Sequence, residues 1–139
     1  AHGTRISAAD LEATARQQGV EVRAGDVLLV RTGWIRVWDT DRAAYLRDTP
    51  GLGEEGMLEY LHDHKVAAVG ADNVAVEAWD PSVVIPLHTP LIRGLGMVLL
   101  ELMDLEALAA DRVWEFMFVA APLRITGGVG SPLNPLALA

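Results

Sequence analysis

Apolar residues fall into short blocks of two kinds, divided by Gly, Pro, Asp and Asn. Val27-Leu28-Leu29-Val30 and Val66-Ala67-Ala68-Val69-Gly70-Ala71 are unbroken runs of strand length, the pattern of strands covered on both faces. Met97 to Leu102 reads as a third strand, and Val113 to Ala121 as the longest. Helical spacing lies between these runs. Ser7-Ala8-Ala9-Asp10 has the Ser-x-x-acid form of a helix start, with Ser7 capping free N–H groups and Asp10 at the positive end; Gly19 is a natural stop. Glu54 to His64 places Met57, Leu58 and Leu61 on one face, with acids early and basic groups late. Thr89 as cap and Pro90 as first helical residue predict a short helix closed by Gly94 and Gly96, and Asp104 to Ala110 predicts another.

Between these elements, Ile35 to Leu52 mixes Trp38, charges and Thr49-Pro50-Gly51, which predicts a surface excursion with one helical turn at Arg42 to Leu46. A long loop runs through Trp79-Asp80-Pro81 to Ile85-Pro86, and Gly127 to Pro132 is a mobile or sharply turned stretch. Strands alternating with helices predict one α/β domain over residues 1–139, with a largely parallel or mixed central sheet flanked by helices.

Composition narrows the functions open to such a domain. A net charge of −8 repels a phosphate backbone and argues against nucleic acid as partner. The apolar runs are too short to span a bilayer, which takes about 20 residues. With no cysteine, any metal must be held by His, Asp or Glu, and a reducing, cytoplasmic setting is expected. The sequence opens without Met or signal-like regions, directly before a helix, and is expected to be a piece of a longer chain.

Two residues have settings suited to chemistry. Glu101 sits inside Met97-Val98-Leu99-Leu100-Glu101-Leu102-Met103, where a lone carboxylate would cost several kcal/mol of desolvation without a cation, metal or proton facing it. The plainer reading is a strand-end Glu turned to solvent or to Arg93. His88 lies at a helix entry between Pro86 and Pro90, a place for a ligand, a proton-transfer group or simply a packed histidine. Asp72 and Asn73 close a strand where open α/β sheets gather ligands, though an Asp-Asn pair also makes turns; Arg31 and Thr32 hold the equivalent end of the first strand. Trp34, beside that end, is a candidate pocket wall or a core residue. His62 and His64 do not share a helix face and are expected at a solvated helix end. The glycines at 127, 128 and 130 lack the context and the lysine of a phosphate loop.

Taken in order, Gly25-Asp26-Val27-Leu28-Leu29-Val30-Arg31-Thr32-Gly33-Trp34, Val69-Gly70-Ala71-Asp72-Asn73, Pro86-Leu87-His88, Leu99-Leu100-Glu101 and Gly127-Gly128-Val129-Gly130-Ser131-Pro132-Leu133-Asn134-Pro135 form a series that resembles the C-terminal half of the cyclase family of metal-dependent hydrolases, which includes kynurenine formamidase and isatin hydrolase. The resemblance implies a partly closed central sheet, oligomers, and a site with one or two divalent ions such as zinc or manganese. It makes His88 a metal ligand and Glu101 a ligand that also assists proton transfer; Trp34, Asp72 and Asn73 are substrate-pocket candidates from their place at the strand ends, apart from the resemblance. The family's earlier His-x-Gly-Thr-His-x-Asp-x-Pro-x-His type motif has no counterpart. Gly3-Thr4 echoes it, but the ligand positions hold Ala1, Arg5 and Ser7. The remaining ligands are therefore expected from a segment absent here. The implied activity is arylformamidase-like hydrolysis of a C–N bond in a small amide, aryl formamide or lactam. Implied partners are further copies of the chain or a chain carrying the missing part. The competing expectation is a non-catalytic oligomerisation or interaction module on the same fold.

Overall fold

The computed structural model describes residues 3–80, 82 and 84–139. Pro81 of the expected long loop and Ala1 of the motif echo lie outside them. In chain order the elements are β1 (Arg5–Ile6), α1 (Ala8–Gln18), β2 (Val27–Val30), a 3-10 turn (Trp34–Arg36), α2 (Val37–Thr40), α3 (Arg42–Tyr45) and β3 (Gly51–Leu52). There follow α4 (Met57–Asp63), β4 (Ala68–Ala71), a π-helical segment (Thr89–Gly94), β5 (Val98–Leu100), α5 (Glu106–Ala110), β6 (Met117–Val119) and β7 (Leu136–Leu138).

Local chemistry explains the first helix as expected. Ser7 has extended backbone, and its hydroxyl accepts the Asp10 N–H at 3.2 Å while the Asp10 carboxylate accepts the Ser7 N–H at 2.9 Å. Gly19 ends the helix in the left-handed region at φ 71°.

β2, β4 and β5 form a parallel sheet in the order β2-β4-β5, with Val27 opposite Ala68 and Ala68 opposite Val98. Central β4 is buried along its whole length. A Cβ on Gly70 would lie 2.8 Å from Leu29 Cδ2 and 3.0 Å from Leu100 Cβ, so only glycine lets the three strands meet there. Leu11, Leu52, Met57, Leu61, Leu87 and Leu91 pack with the sheet into the core. Two smaller sheets stand apart, β1 with β3 in parallel and β6 with β7 antiparallel.

The structure corrects several expectations. No sheet closes on itself among the described residues; each is open. β5 stops at Leu100, because the chain turns away at Leu102, which has φ 58° and donates its N–H to the Asn73 carbonyl. Glu101 thus follows the strand instead of lying inside it. The Val113 to Ala121 run contains only the three-residue β6, whose partner is β7 and not the central sheet. His88, not Thr89, is the cap of the segment beginning at Thr89, which winds as a wide π-helix. The 34–45 excursion holds three short helical pieces in place of one turn. Among the described residues no helix is long and apolar enough to cross a membrane.

Candidate functional site

The three parallel strands run in one direction and so bring their C-terminal ends to one edge, the place where open α/β sheets build sites. Asp72, directly after β4, is buried and ties this edge together. Its Oδ1 accepts the Thr32 N–H at 2.9 Å and the Thr32 hydroxyl at 2.6 Å, and its Oδ2 accepts the Gly33 N–H at 2.6 Å. These donors offset the desolvation of the carboxylate. Tyr45 donates its hydroxyl to the Asp72 carbonyl at 2.8 Å. Burial, with Asp72 and Glu101 nearby, pushes that phenol up to about 12, so it stays a donor at neutral pH.

Behind this edge lies a line of acid, imidazole and acid. His88 Nδ1 is 2.6 Å from Glu77 Oε1, and His88 Nε2 is 3.1 Å from Glu101 Oε1. Glu77 is 1% exposed, whereas the side chains of His88 and Glu101 are 25% and 37% exposed, so the line runs from core to surface. The hydrogen bonds from His88 to Glu101 and then Glu77 outweigh burial and push His88 up to about 9.

Sequence reading had paired His88 with Glu101, and the structure brings them together. Glu77 had gone unremarked. It lies in Val74-Ala75-Val76-Glu77-Ala78, so the desolvation argument applied to Glu101 fits Glu77 better. The other candidates are dispersed. Asn73 is buried and donates from Nδ2 to the Pro50 and Glu77 carbonyls, at 2.5 and 3.1 Å. Trp34 is buried and gives its indole N–H to the Tyr45 carbonyl at 3.0 Å. Arg31 grips Glu106 with two bonds of 2.8 and 2.9 Å. His62 is exposed beside Asp63, while the His64 ring lies 4.3 Å from that of Tyr60. The glycine run makes a turn, with Gly128 N–H on the Ile125 carbonyl. A cavity of about 730 Å³ runs along the open edge of β2, between Leu28, Leu108, Trp114 and Phe118, and His88 and Glu101 do not line it.

The donor set fits part of a site for a divalent ion of the zinc or manganese kind. An imidazole nitrogen and a carboxylate oxygen converge at the surface, and the other ring nitrogen is backed by a buried carboxylate, as metal-binding histidines usually are. Among the described residues no group of three or more such side chains is placed to hold an ion, so the convergence amounts to two donors, His88 and Glu101.

An open parallel sheet flanked by helices, with a carboxylate-backed histidine and a glutamate near its edge, places the chain among the α/β proteins. The chain belongs to the cyclase family: the family model described as "Putative cyclase" matches residues 1–78. Isatin hydrolase of Roseibium aggregatum is 31% identical over 138 residues, covering 94% of this chain and 51% of that protein. A crystal structure of a novel cyclase superposes with a TM-score of 0.88 at 37% identity, over 99% of this chain and 48% of that one. Isatin hydrolase A from Ralstonia solanacearum does so with a TM-score of 0.78 at 28% identity, over 98% and 53%. The chain therefore spans about half the length of the relatives it matches.

Proposed function

We propose that the protein is a metal-dependent hydrolase that opens a C–N bond in a small amide, aryl formamide or lactam. The observation that carries this reading is the His88 Nε2 to Glu101 Oε1 approach of 3.1 Å at the surface end of the line, in a chain similar to isatin hydrolases. His88 Nε2 and Glu101 would hold a zinc or manganese ion, with the other ligands from a segment outside this sequence. Such an ion supplies Lewis acidity, polarising the substrate carbonyl and making water a nucleophile near neutral pH. Glu101, partly exposed, accepts a proton from the attacking water and delivers it to the departing nitrogen. Tyr45 and Asp72 keep the strand ends rigid behind it.

In the full-length protein, Glu101→Gln and His88→Ala should each lower kcat/KM on an aryl formamide or lactam by about 100-fold or more, with the fold retained by circular dichroism. Activity within a few-fold of the parent in both would overturn the assignment.

A second reading, a non-catalytic oligomerisation module, has support in the exposed apolar side chains of Met117, Leu136 and Leu138 on the β6–β7 arm. Assembly with further copies, or with a chain carrying the other ligands, would cover that arm under either reading. Titration of the full-length protein with zinc or manganese separates them, since only the hydrolase needs stoichiometric ion binding.

A further inference from the structure

We infer that Glu77 is the positioning residue of this site: its buried carboxylate takes the Nδ1–H of His88 and so turns Nε2 outward to Glu101 and an ion. The inference rests on the hydrolase reading for the ion, but its geometric part stands without one.

Glu77 has no freedom to choose another partner. Its Oε2 accepts the Leu87 N–H at 2.7 Å, and its Oε1 accepts the His88 N–H at 3.0 Å together with the ring contact at 2.6 Å. One carboxylate thus holds both the backbone that carries His88 and the ring itself. The backbone bonds set where the histidine begins, and the ring bond sets which way it points. A buried carboxylate accepts hydrogen bonds and does not donate them, so the nitrogen facing it keeps its hydrogen and Nε2 is the one left for a ligand.

The loop beneath Glu77 is built to keep it there. Val76 stands at φ 61°, a left-handed conformation that a β-branched residue avoids, in a tight turn closed by the Glu77 N–H on the Ala75 carbonyl. Strain of that kind persists only where surrounding contacts impose it. Here Leu52 N–H binds the Val76 carbonyl at 3.0 Å, Ala78 N–H binds the Leu52 carbonyl at 2.9 Å, and Asn73 Nδ2 binds the Glu77 carbonyl at 3.1 Å. A Cβ on Gly51 would fall inside contact distance of the Glu77 and Val76 backbone, so glycine there lets β3 press against the turn. Asn73 and Gly51 therefore act on the site through Glu77.

The test uses the full-length protein and two independent readouts. In proton NMR of the ion-free protein, the His88 Nδ1–H should appear as a far-downfield, slowly exchanging resonance, and it should be lost in Glu77→Gln. Calorimetric titration with zinc alone should show the Glu77→Gln variant binding about 10- to 100-fold more weakly than the parent, with the fold retained. A parent spectrum without that resonance overturns the inference even if the variant fails to fold. A folded variant with zinc affinity within about threefold of the parent overturns it too. If the parent binds no zinc and hydrolyses no amide, the hydrolase reading fails, while the NMR result still decides whether Glu77 sets the ring.

Discussion

The segment from β3 to Glu101 and the segment from α5 to β7 have similarly apolar sequences and opposite fates. In the first, Leu52, Met57, Leu61, Val69, Leu87 and Leu91 are buried, and the buried polar side chains of Asp72, Asn73 and Glu77 are hydrogen-bonded to neighbours. In the second no described residue is buried, and Met117, Leu123, Ile125, Leu136 and Leu138 are exposed. Apolar pattern creates a demand for burial, and only a partner surface meets it. β4 has β2 and β5 on its two sides; β6 has only β7, an equally exposed strand. A site needing fixed geometry is therefore found in the first segment, where packing and hydrogen bonds restrict each group.

Truncating one leucine in each segment tests this contrast most severely. Leu61, on α4, is 0% exposed, and Leu61→Ala should cost about 2–5 kcal/mol of unfolding free energy in urea titration. Leu138, on β7, is 51% exposed, and Leu138→Ala should change stability by no more than about 0.5 kcal/mol. An equally large loss at Leu138, with a melting temperature that rises with protein concentration, would break the comparison by showing that association buries the arm in solution.

The polar side of the contrast predicts a smaller effect. Asp72→Asn keeps the size of the side chain but sets an amide donor against the Thr32 or Gly33 N–H that now donates to the carboxylate. A loss of about 2 kcal/mol is expected. Thr32→Val removes the hydroxyl that donates to Asp72 and accepts the Trp34 N–H, and should cost about 1–2 kcal/mol. Denaturation midpoints unchanged in both variants would mean that the strand ends are held by packing alone.

What could be read from the sequence follows the range of the forces involved. The Ser7–Asp10 cap, the Gly19 stop and the β2 and β4 runs depend on neighbours within a few residues, and they were legible. His88 and Glu101 were legible by setting, although Glu101 is more exposed than its apolar neighbours suggested, because Leu102 turns the chain out of the sheet. Glu77 reaches His88 across 11 residues, and Tyr45 reaches Asp72 across 27, through contacts that exist only once the sheet is assembled. For Glu77 a signal was present, a lone acid among Val74, Val76 and Ala78. The extent of β6 had none, since strand length there is set by which edge is offered for pairing.

The smallest effect concerns the junction between the two segments. Glu106, at the start of α5, is gripped by Arg31 through two bonds and by Arg36 Nε at 2.6 Å. Arg31 foremost, with Arg36 adding to it, holds the Glu106 carboxyl down at about 2, from an ordinary 4.5. A folded value below the unfolded one means that the stabilisation is complete above about pH 4.5 and fades as pH falls from there towards 2. The groups are partly exposed, so the gain is modest and is further screened by salt. Carbon-detected NMR of the Glu106 carboxylate should give a midpoint near 2 in the parent and an upward shift in Arg31→Met. A parent midpoint near 4.5 would show that Glu106 is not held, leaving α5 and the arm beyond it without their tie to the end of β2.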